Sequence, residues 1–351
     1  RDSLRRLGID QEPHQWTDLT DPRYYGQLAV CDPSKSGSMT QAFEMIIQQQ
    51  MQRSVVEGQK SKVEGQGNGR PVAPSPSLDL GPLTPDLRSH LEEGWMRGLQ
   101  IIQKISANAR YFTDTSQKIN IDVGMGDCAA GMTIDFYGRF QQENIVERSG
   151  DPRFGFHTPE GGSTVSADPI GLLRGAPNRQ VAEAFIEFVL SLEGQKLWNF
   201  KLGAPGGPET FALRRPPIRP ELYSPEWNHY RSDADYNPYV ASKDFSYHAE
   251  WTGMLFSEIR TIIRVCFLDV RKELAEAWAA IIKARNEGRH ADADRAEAIM
   301  ADLSRISYEE ALTTIDAALQ APRIEEVRLS RELSEHFRKQ YQLARDTARG
   351  R

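Results

Sequence analysis

The chain has little cysteine and no large excess of charge of one sign. Its 351 residues include only three cysteines, Cys31, Cys128 and Cys266, which are widely spaced and form no CxxC or CxxH pair. This spacing supports neither a zinc site nor a disulfide framework. The 43 Lys and Arg residues against 49 Asp and Glu residues give a formal charge of −6, which argues against a protein that wraps a nucleic acid.

Long apolar runs and common catalytic motifs are also absent from the sequence. No window approaches the roughly 18 consecutive apolar residues that a membrane-spanning helix needs. There is no nucleophile elbow, HExxH or P-loop, so the usual signals of hydrolytic or nucleotide chemistry are missing. Because 39% of the residues are hydrophobic, the chain can build real cores, and its length predicts two or three packing units.

Strands and helices alternate over the first two hundred residues. The apolar run 28–30 predicts a buried strand, and the turn-rich loop after it leads into a helix with Phe43, Ile46 and Ile47 on one face. A further strand is predicted at 131–134. Two more helices carry the apolar stripes Trp95, Leu99, Ile102 and Ile105, and Val181, Phe185, Phe188 and Val189. This alternation predicts an α/β fold.

Changes in composition divide the chain. A stretch from about 58 to 85 is rich in Gly, Pro, Ser, Gln and Lys, which predicts a flexible insertion. From about 246 onward the pattern is helical, with interspersed charges typical of solvated helix faces. We predict a short N-terminal segment (1–15) followed by an α/β ligand-binding lobe that carries the insertion (16–165). A crossover with part of another lobe (166–245) and a helical C-terminal region (246–351) complete the chain.

The motif DPSKSGS lies between a predicted strand and a predicted helix. Ser36, Gly37 and Ser38 therefore stand where backbone N–H groups and hydroxyls at a helix N-terminus can hold an anion. Serine in this position also caps helices for stability alone. Both interpretations, capping and anion binding, remain open on this motif.

The order of several segments is more specific than any one of them. WTDLTDPRYYGQLAVCDPSKSGS is followed by ISANARYFTDTSQ, VGMGDCAAGMTIDFYGR and APNRQVAEAFIEFVLSLEGQKLW. In this order, residues 16–198 resemble the extracellular solute-binding proteins of ABC importers, and more narrowly the ferric-iron-binding branch of the type 2 periplasmic binding proteins. The resemblance implies two α/β lobes joined by crossover strands, with the ligand in the cleft between them.

The resemblance begins in the middle of the family pattern. Only fifteen residues precede Trp16, whereas the family's first lobe begins much further upstream. We therefore expect the chain to lack much of that lobe. Partial replacement of the lobe by the long helical C-terminal region is the alternative.

The resemblance also implies roles for individual residues. It assigns Ser36, Gly37 and Ser38 to the anion-holding loop and Asn108 to a further polar contact with the bound anion. Asp135 and Tyr137 fall where ferric-binding relatives have consecutive metal-coordinating tyrosines, and Phe136 replaces one of those phenols. Since ferric iron prefers anionic oxygen ligands, this change weakens a metal site unless Asp135 substitutes as a ligand. Ferric iron, a small organic or phosphorylated ligand, and an aromatic strand end that packs the core all remain open.

A second loop, TPEGGST, follows in the same region. Glu160 and Ser163 could line the cleft, because loops at strand ends form the ligand sites of α/β proteins. The glycines there also suit a simple turn. His157 has no second ligand at metal spacing, which favours a structural histidine.

The leading hypothesis is the substrate-binding component of an ABC transporter. It would capture a small anionic or phosphorylated organic ligand, or ferric iron, and deliver it to a permease in the membrane. We expect a non-enzymatic monomer in the periplasm or outside the cell, with a lipid anchor left open. No nucleic acid is expected, and no cofactor apart from ferric iron as a transported ligand.

Two other functions compete with this one. In the first, the C-terminal helices form the working surface of an interaction or scaffold protein with a degenerate binding lobe. In the second, Asp135, Tyr137 and His157 serve as an acid–base cluster of an enzyme, although their spacing gives no sign that they converge.

Overall fold

A small parallel sheet lies at the centre of the first half of the chain. The structure is a computed structural model that describes residues 1–65 and 84–351. Strand β1 (Leu28–Cys31) is central, with β2 (Ala109–Thr113) on one side and β3 (Ala130–Gly131) on the other, both parallel to it. The strand predicted at 28–30 is confirmed, and the one predicted at 131–134 begins one residue earlier and ends at Gly131.

Helices make up most of the rest. In chain order they are α1 (Asp2–Arg6), α2 (Gly37–Gly65), α3 (Pro85–Asn108), α4 (Ser116–Met125), α5 (Asp135–Ser149), α6 (Arg179–Leu190), α7 (Leu192–Asn199), α8 (Pro225–Asn228), α9 (Pro238–Ala241), α10 (Ala249–Thr252), α11 (Phe256–Ile263), α12 (Arg271–Asn286), α13 (His290–Met300), α14 (Tyr308–Glu310), α15 (Asp316–Gln320) and α16 (Arg323–Ala348). Short 3₁₀ or π turns occupy Trp16–Thr20, Pro22–Tyr24, Pro220–Tyr223, Arg264–Leu268, Ser304–Ile306 and Ala311–Ile315.

Helices α2 and α3 pack closely along their lengths. A Cβ atom on Gly94 would lie 2.2 Å from the Cα of Met51, and one on Gly98 would lie 2.6 Å from the Cα of Ile47. Only glycine allows the two backbones to approach this far. The stripe predicted on α3 (Trp95, Leu99, Ile102 and Ile105) is fully buried in this packing, as its helical spacing indicates.

The C-terminal helices share the core of α2 and α3. Trp95 Nε1 donates a hydrogen bond to the carbonyl of Ile306 at 2.9 Å, and Gln103 Nε2 donates to the carbonyl of Met300 at 2.8 Å. The buried apolar side chains of both regions form one cluster, so the helical pattern predicted from 246 onward is confirmed and belongs to this core. We call the sheet, α2, α3 and α10–α16 the helical body.

Residues 153–245, which we call the cleft arm, are built differently. Helix α6 forms where it is predicted, but its stripe faces outward: Val181, Phe185 and Phe188 are 69%, 59% and 48% exposed. Of the described residues between 133 and 250, none belongs to the main apolar cluster. The arm instead encloses polar contacts, among them the ion pair between Arg214 Nη2 and Asp233 Oδ1 at 2.5 Å.

Two predictions on domain organisation concern the insertion at 58–85 and the two-lobe arrangement. Helix α2 continues to Gly65 and α3 begins at Pro85, so residues 58–65 of the predicted insertion are helical, and 66–83 lie outside the described residues. The two-lobe arrangement with a shortened first lobe stays a prediction. None of the helices in the described ranges has the length and apolar character needed to cross a membrane.

Candidate functional site

Three helix N-termini meet at one edge of the sheet. Each strand leads into a helix: β1 into α2 at Gly37, β2 into α4 at Ser116, and β3 into α5 at Asp135. Because the strands are parallel, their carboxyl ends lie at the same edge, where α/β proteins bind ligands. The first turn of each helix presents free N–H groups and a partial positive charge. This edge therefore favours an anionic group.

Side-chain contacts show that these helix starts are neighbours. The Oγ atoms of Ser36 and Ser116 lie 3.1 Å apart, which joins the start of α2 to that of α4. Gln117 Nε2 donates a hydrogen bond to the hydroxyl of Tyr137 at 2.9 Å, which joins α4 to the first turn of α5. The three N-termini thus form one continuous surface.

A cleft of about 1620 Å³ opens in front of this surface. Several polar residues of the three helices and of the segment after β3 line the cleft, and we call five of them the polar floor: Ser38, Ser116, Asn120, Thr133 and Asp135. The cleft is far larger than an inorganic oxyanion and exceeds the usual range of roughly 300–1,000 Å³ for small-molecule pockets.

Asn120 is the most informative residue of the polar floor. It is only 5% exposed, yet its Oδ1 has no hydrogen-bond partner among the described residues. The Oγ1 of Thr133 is likewise buried without a partner in that part of the chain. Buried polar atoms are normally hydrogen-bonded, because leaving one unpaired costs about 1–3 kcal/mol. A ligand with a hydroxyl or amine group would satisfy Asn120 Oδ1.

Asp135 adds a carboxyl group with an altered proton affinity. Burial raises the pKa of Asp135, with a smaller contribution from the charge of Asp233, while a hydrogen bond from the N–H of Phe136 and the guanidinium groups of Arg139 and Arg215 oppose the rise. A raised pKa makes this carboxyl easier to protonate than an exposed one. It can accept a hydrogen bond from a ligand donor.

The predicted anion loop divides its roles. Ser36 and Gly37 do not line the cleft, and the Ser36 Oγ accepts a hydrogen bond from the N–H of Met39 at 3.3 Å, as a helix cap does. Ser38 does line the cleft. Ser36 therefore caps the helix, and Ser38 is left open to a ligand.

Asn108, to which the resemblance assigns a contact with the anion, makes structural contacts and does not line the cleft. Its side chain is fully buried and donates to the carbonyls of Leu19 and Asp21 at 3.0 and 2.9 Å. Its Oδ1 accepts a hydrogen bond from Trp278 Nε1 at 2.8 Å. These three contacts occupy the amide inside the helical body, away from the cleft.

Asp135, Phe136 and Tyr137 all line the cleft, but in a different setting from the one expected. They form the first turn of α5 and not the end of a strand, because β3 stops at Gly131. In the described ranges, no group of three or more His, Cys, Asp and Glu side chains is placed to hold a metal ion. Asp135 and Tyr137 are the two oxygen ligands predicted for iron.

The residues of the second loop separate as well. Glu160 is exposed and outside the cleft lining, and its carbonyl accepts from Gln49 Nε2 at 3.3 Å. Ser163 lines the cleft. His157 also lines it, but its Nε2 lies 2.6 Å from Glu12 Oε2, which fits the structural histidine favoured from the sequence. No contact joins His157 to Asp135 or Tyr137 in the described part of the chain.

Part of the cleft lining comes from the cleft arm and includes a set of apolar side chains. These side chains, which we call the apolar wall, come from α6, the segment after α7 and α9: Phe185, Val189, Leu190, Ile218 and Tyr239. Trp16 and Trp198 line the cleft too, and Trp16 Nε1 donates to the carbonyl of Gly162 at 2.6 Å.

Ser116, Asn120 and Thr133 are the residues of the polar floor that sequence reasoning missed. The cluster of Asp, Thr and Ser in FTDTSQ, between β2 and α4, repeats the strand, turn and helix-start chemistry of DPSKSGS and could have revealed Ser116. Asn120 carries no such signal, because only packing decides which side of a helix becomes buried beside a cleft.

Comparison with known proteins identifies the family. Residues 6–200, more than half of the chain, match the family model of bacterial extracellular solute-binding proteins. An uncharacterized protein of Haemophilus influenzae is 22% identical over 194 residues, which are 55% of this chain and 42% of that protein. The chain thus spans about two fifths of the length of this curated relative. No solved structure matches. The chain belongs to the bacterial extracellular solute-binding protein family.

Proposed function

We propose that the chain is the solute-capturing component of an ABC importer, which holds a small anionic or phosphorylated organic ligand and delivers it to a permease in the membrane. Membership of an extracellular solute-binding family supports ligand binding for transport, a periplasmic or extracellular location and a role without catalysis. The observation that carries the proposal is the meeting of three helix N-termini in front of a cleft whose lining includes Asn120, a residue with an unpaired buried Oδ1.

The polar floor supports an organic anion better than ferric iron. Asp135 and Tyr137 offer two oxygen ligands from one helix turn, whereas a hard ferric ion needs more anionic oxygens around it. Free N–H groups and serine hydroxyls are donors, which suit the oxygens of a phosphate or carboxylate group. Asn120 Oδ1 and Asp135 are acceptors, so the same ligand would carry a hydroxyl or amine.

The scaffold alternative is less well supported. The C-terminal helices bury their apolar side chains against α2 and α3, as the contacts of Trp95 and Gln103 illustrate. A helix stripe that fills its own core is not available to a partner.

Calorimetric titration with methyl phosphate, sulfate and ferric citrate tests the proposal. We expect methyl phosphate to bind, and the double variant Ser38→Ala/Ser116→Ala to bind it about tenfold more weakly, a loss of about 1.4 kcal/mol from two lost donors. Ser307→Ala is the matched control, because Ser307 caps α14 by accepting from Glu310 N at 3.2 Å but lies outside the cleft lining.

Each result decides between the ligands. Binding of ferric citrate that depends on Tyr137, without binding of either anion, would replace the organic anion by iron. No binding of any of the three probes would refute the proposed site.

A further inference from the structure

The apolar wall has no role in holding an anionic group. Phe185 is 59% exposed, and Ile218 and Tyr239 are 40% and 45% exposed, although all three line the cleft. Exposed apolar side chains that line a pocket favour the binding of apolar groups. Methyl phosphate or a bare oxyanion would leave this wall in contact with water.

The polar floor and the apolar wall belong to the same cavity and are physically joined. The rings of Phe136 and Tyr137 lie 4.2 Å apart at the start of α5. The guanidinium of Arg215 lies 4.0 Å above the Phe136 ring, and all three residues line the cleft. Three residues further along the chain from Arg215 is Ile218, whose carbonyl accepts a hydrogen bond from the hydroxyl of Tyr239. One ligand that spans the cleft would therefore touch both surfaces.

Arg215 adds a full positive charge to the partial positive charges of the helix N-termini, at the junction of the polar floor and the apolar wall. It pairs with Asp168, whose side chain is 84% exposed. An ion pair with so exposed a partner contributes at most about 1 kcal/mol. Arg215 can therefore exchange Asp168 for an anionic ligand at low cost.

Building on the function proposed above, we infer that the ligand is an amphipathic organic anion: one phosphate or carboxylate group that binds the polar floor, joined to an alkyl or aryl part that covers the apolar wall. The cleft volume of about 1620 Å³ accommodates such a molecule. Each methylene that leaves water for the wall adds to affinity in proportion to its buried area. The anionic group alone gains nothing from the wall.

A series of phosphate monoesters separates the two contributions. Inorganic phosphate, methyl phosphate, hexyl phosphate and phenyl phosphate carry related anionic groups and differ mainly in apolar area. We expect hexyl and phenyl phosphate to bind at least about tenfold more tightly than methyl phosphate in calorimetric titrations, equivalent to about 1.4 kcal/mol. Binding of hexyl phosphate would also show a more negative heat-capacity change, since apolar surface is buried.

Helix α6 offers a matched pair of variants. Phe185 and Phe188 lie three residues apart with similar exposure, 59% and 48%, but only Phe185 lines the cleft. Phe185→Ser should weaken hexyl phosphate about fivefold and leave methyl phosphate unchanged, whereas Phe188→Ser should change neither. Because both side chains are exposed, neither substitution threatens folding.

The outcomes separate this inference from the proposed function. If methyl and hexyl phosphate bind equally well, or if Phe185→Ser and Phe188→Ser behave alike, the amphipathic ligand is refuted while the polar floor stands. If no member of the series binds, the proposed function fails first, and the inference fails with it.

Discussion

Different interactions stabilise the helical body and the cleft arm. The body buries its large apolar side chains in one cluster that runs from the sheet to α16, with Trp95 and Trp278 almost fully enclosed. The arm leaves Phe185 and Phe188 exposed and encloses polar groups in their place, such as Arg214 and Asp233, which are 8% and 4% exposed.

This difference indicates which part of the molecule can respond to a ligand. Burial of apolar area is the main source of stability, so the body should open only with global unfolding. Polar contacts join the arm to the body, among them the hydrogen bond that Gln49 Nε2 of α2 donates to the carbonyl of Gly161 at 2.8 Å. We therefore expect the arm to open at a lower free energy, and the apolar wall to move with it.

The largest expected effect is in the body. Trp95→Ala removes a fully buried indole and its hydrogen bond to Ile306, which should lower the free energy of unfolding by about 3–5 kcal/mol. Urea denaturation measures the loss. Phe188→Ala on the arm is the control, with an expected change within about 0.5 kcal/mol. A similar decrease in the free energy of unfolding for the two variants would contradict the proposed difference in stability between body and arm.

A smaller and local effect is expected inside the arm. Asp233→Ala removes one of the two carboxylates that pair with Arg214 at 2.5 Å and also removes the partner of Asn199 Nδ2 at 3.1 Å. Breaking a buried ion pair typically costs about 3 kcal/mol or more, although Arg214 keeps Glu143. Native-state hydrogen exchange should show faster exchange of arm amides and little change in the body.

The control for the arm is Glu221→Ala. Glu221 forms an exposed ion pair with Arg219. Its loss should therefore change the free energy of opening, measured by hydrogen exchange of the arm amides, by less than about 0.5 kcal/mol. Equal acceleration of body and arm amides by Asp233→Ala would show that the two parts unfold as one unit.

The smallest effect should come from Asp135 of the polar floor. Because burial raises its pKa in the folded protein, the stability it contributes is complete below the unfolded value of about 3.9 and is lost as pH rises through the folded pKa. Asp135→Asn should therefore raise the melting temperature near pH 7, and the difference should vanish near pH 3. A variant less stable than the parent near pH 7 would contradict this sign.

The sequence predicts the body better than the arm. The stripe of Trp95, Leu99, Ile102 and Ile105 becomes a buried face because its helix has partners all along its length. The stripe of Phe185 and Phe188 has the same periodicity but lies exposed. Periodicity identifies an amphipathic helix, and does not tell whether its apolar face meets protein or a cavity.

The site was predictable to a similar, partial degree. The turn residues before a predicted helix indicate Ser36 and Ser38, because a capping side chain and a bound anion both accept from the free backbone N–H groups of the first helix turn. The role of Asn108 depends on Trp278, which is 170 positions away in the chain, so local patterns could not reveal it. Asp135 was placed at a strand end because the strand of two residues is too short to leave a periodic signal.

The position of Trp16 in the cleft lining has a spectroscopic consequence. Of the six tryptophans, Trp16 and Trp198 line the cleft, Trp227 is half-buried outside the cleft lining, and Trp95, Trp251 and Trp278 are enclosed in the body. The enclosed indoles supply a constant emission background that a bound molecule does not reach. Occupancy of the cleft should therefore change the fluorescence of the native protein without any attached dye, which makes this protein its own reporter of binding.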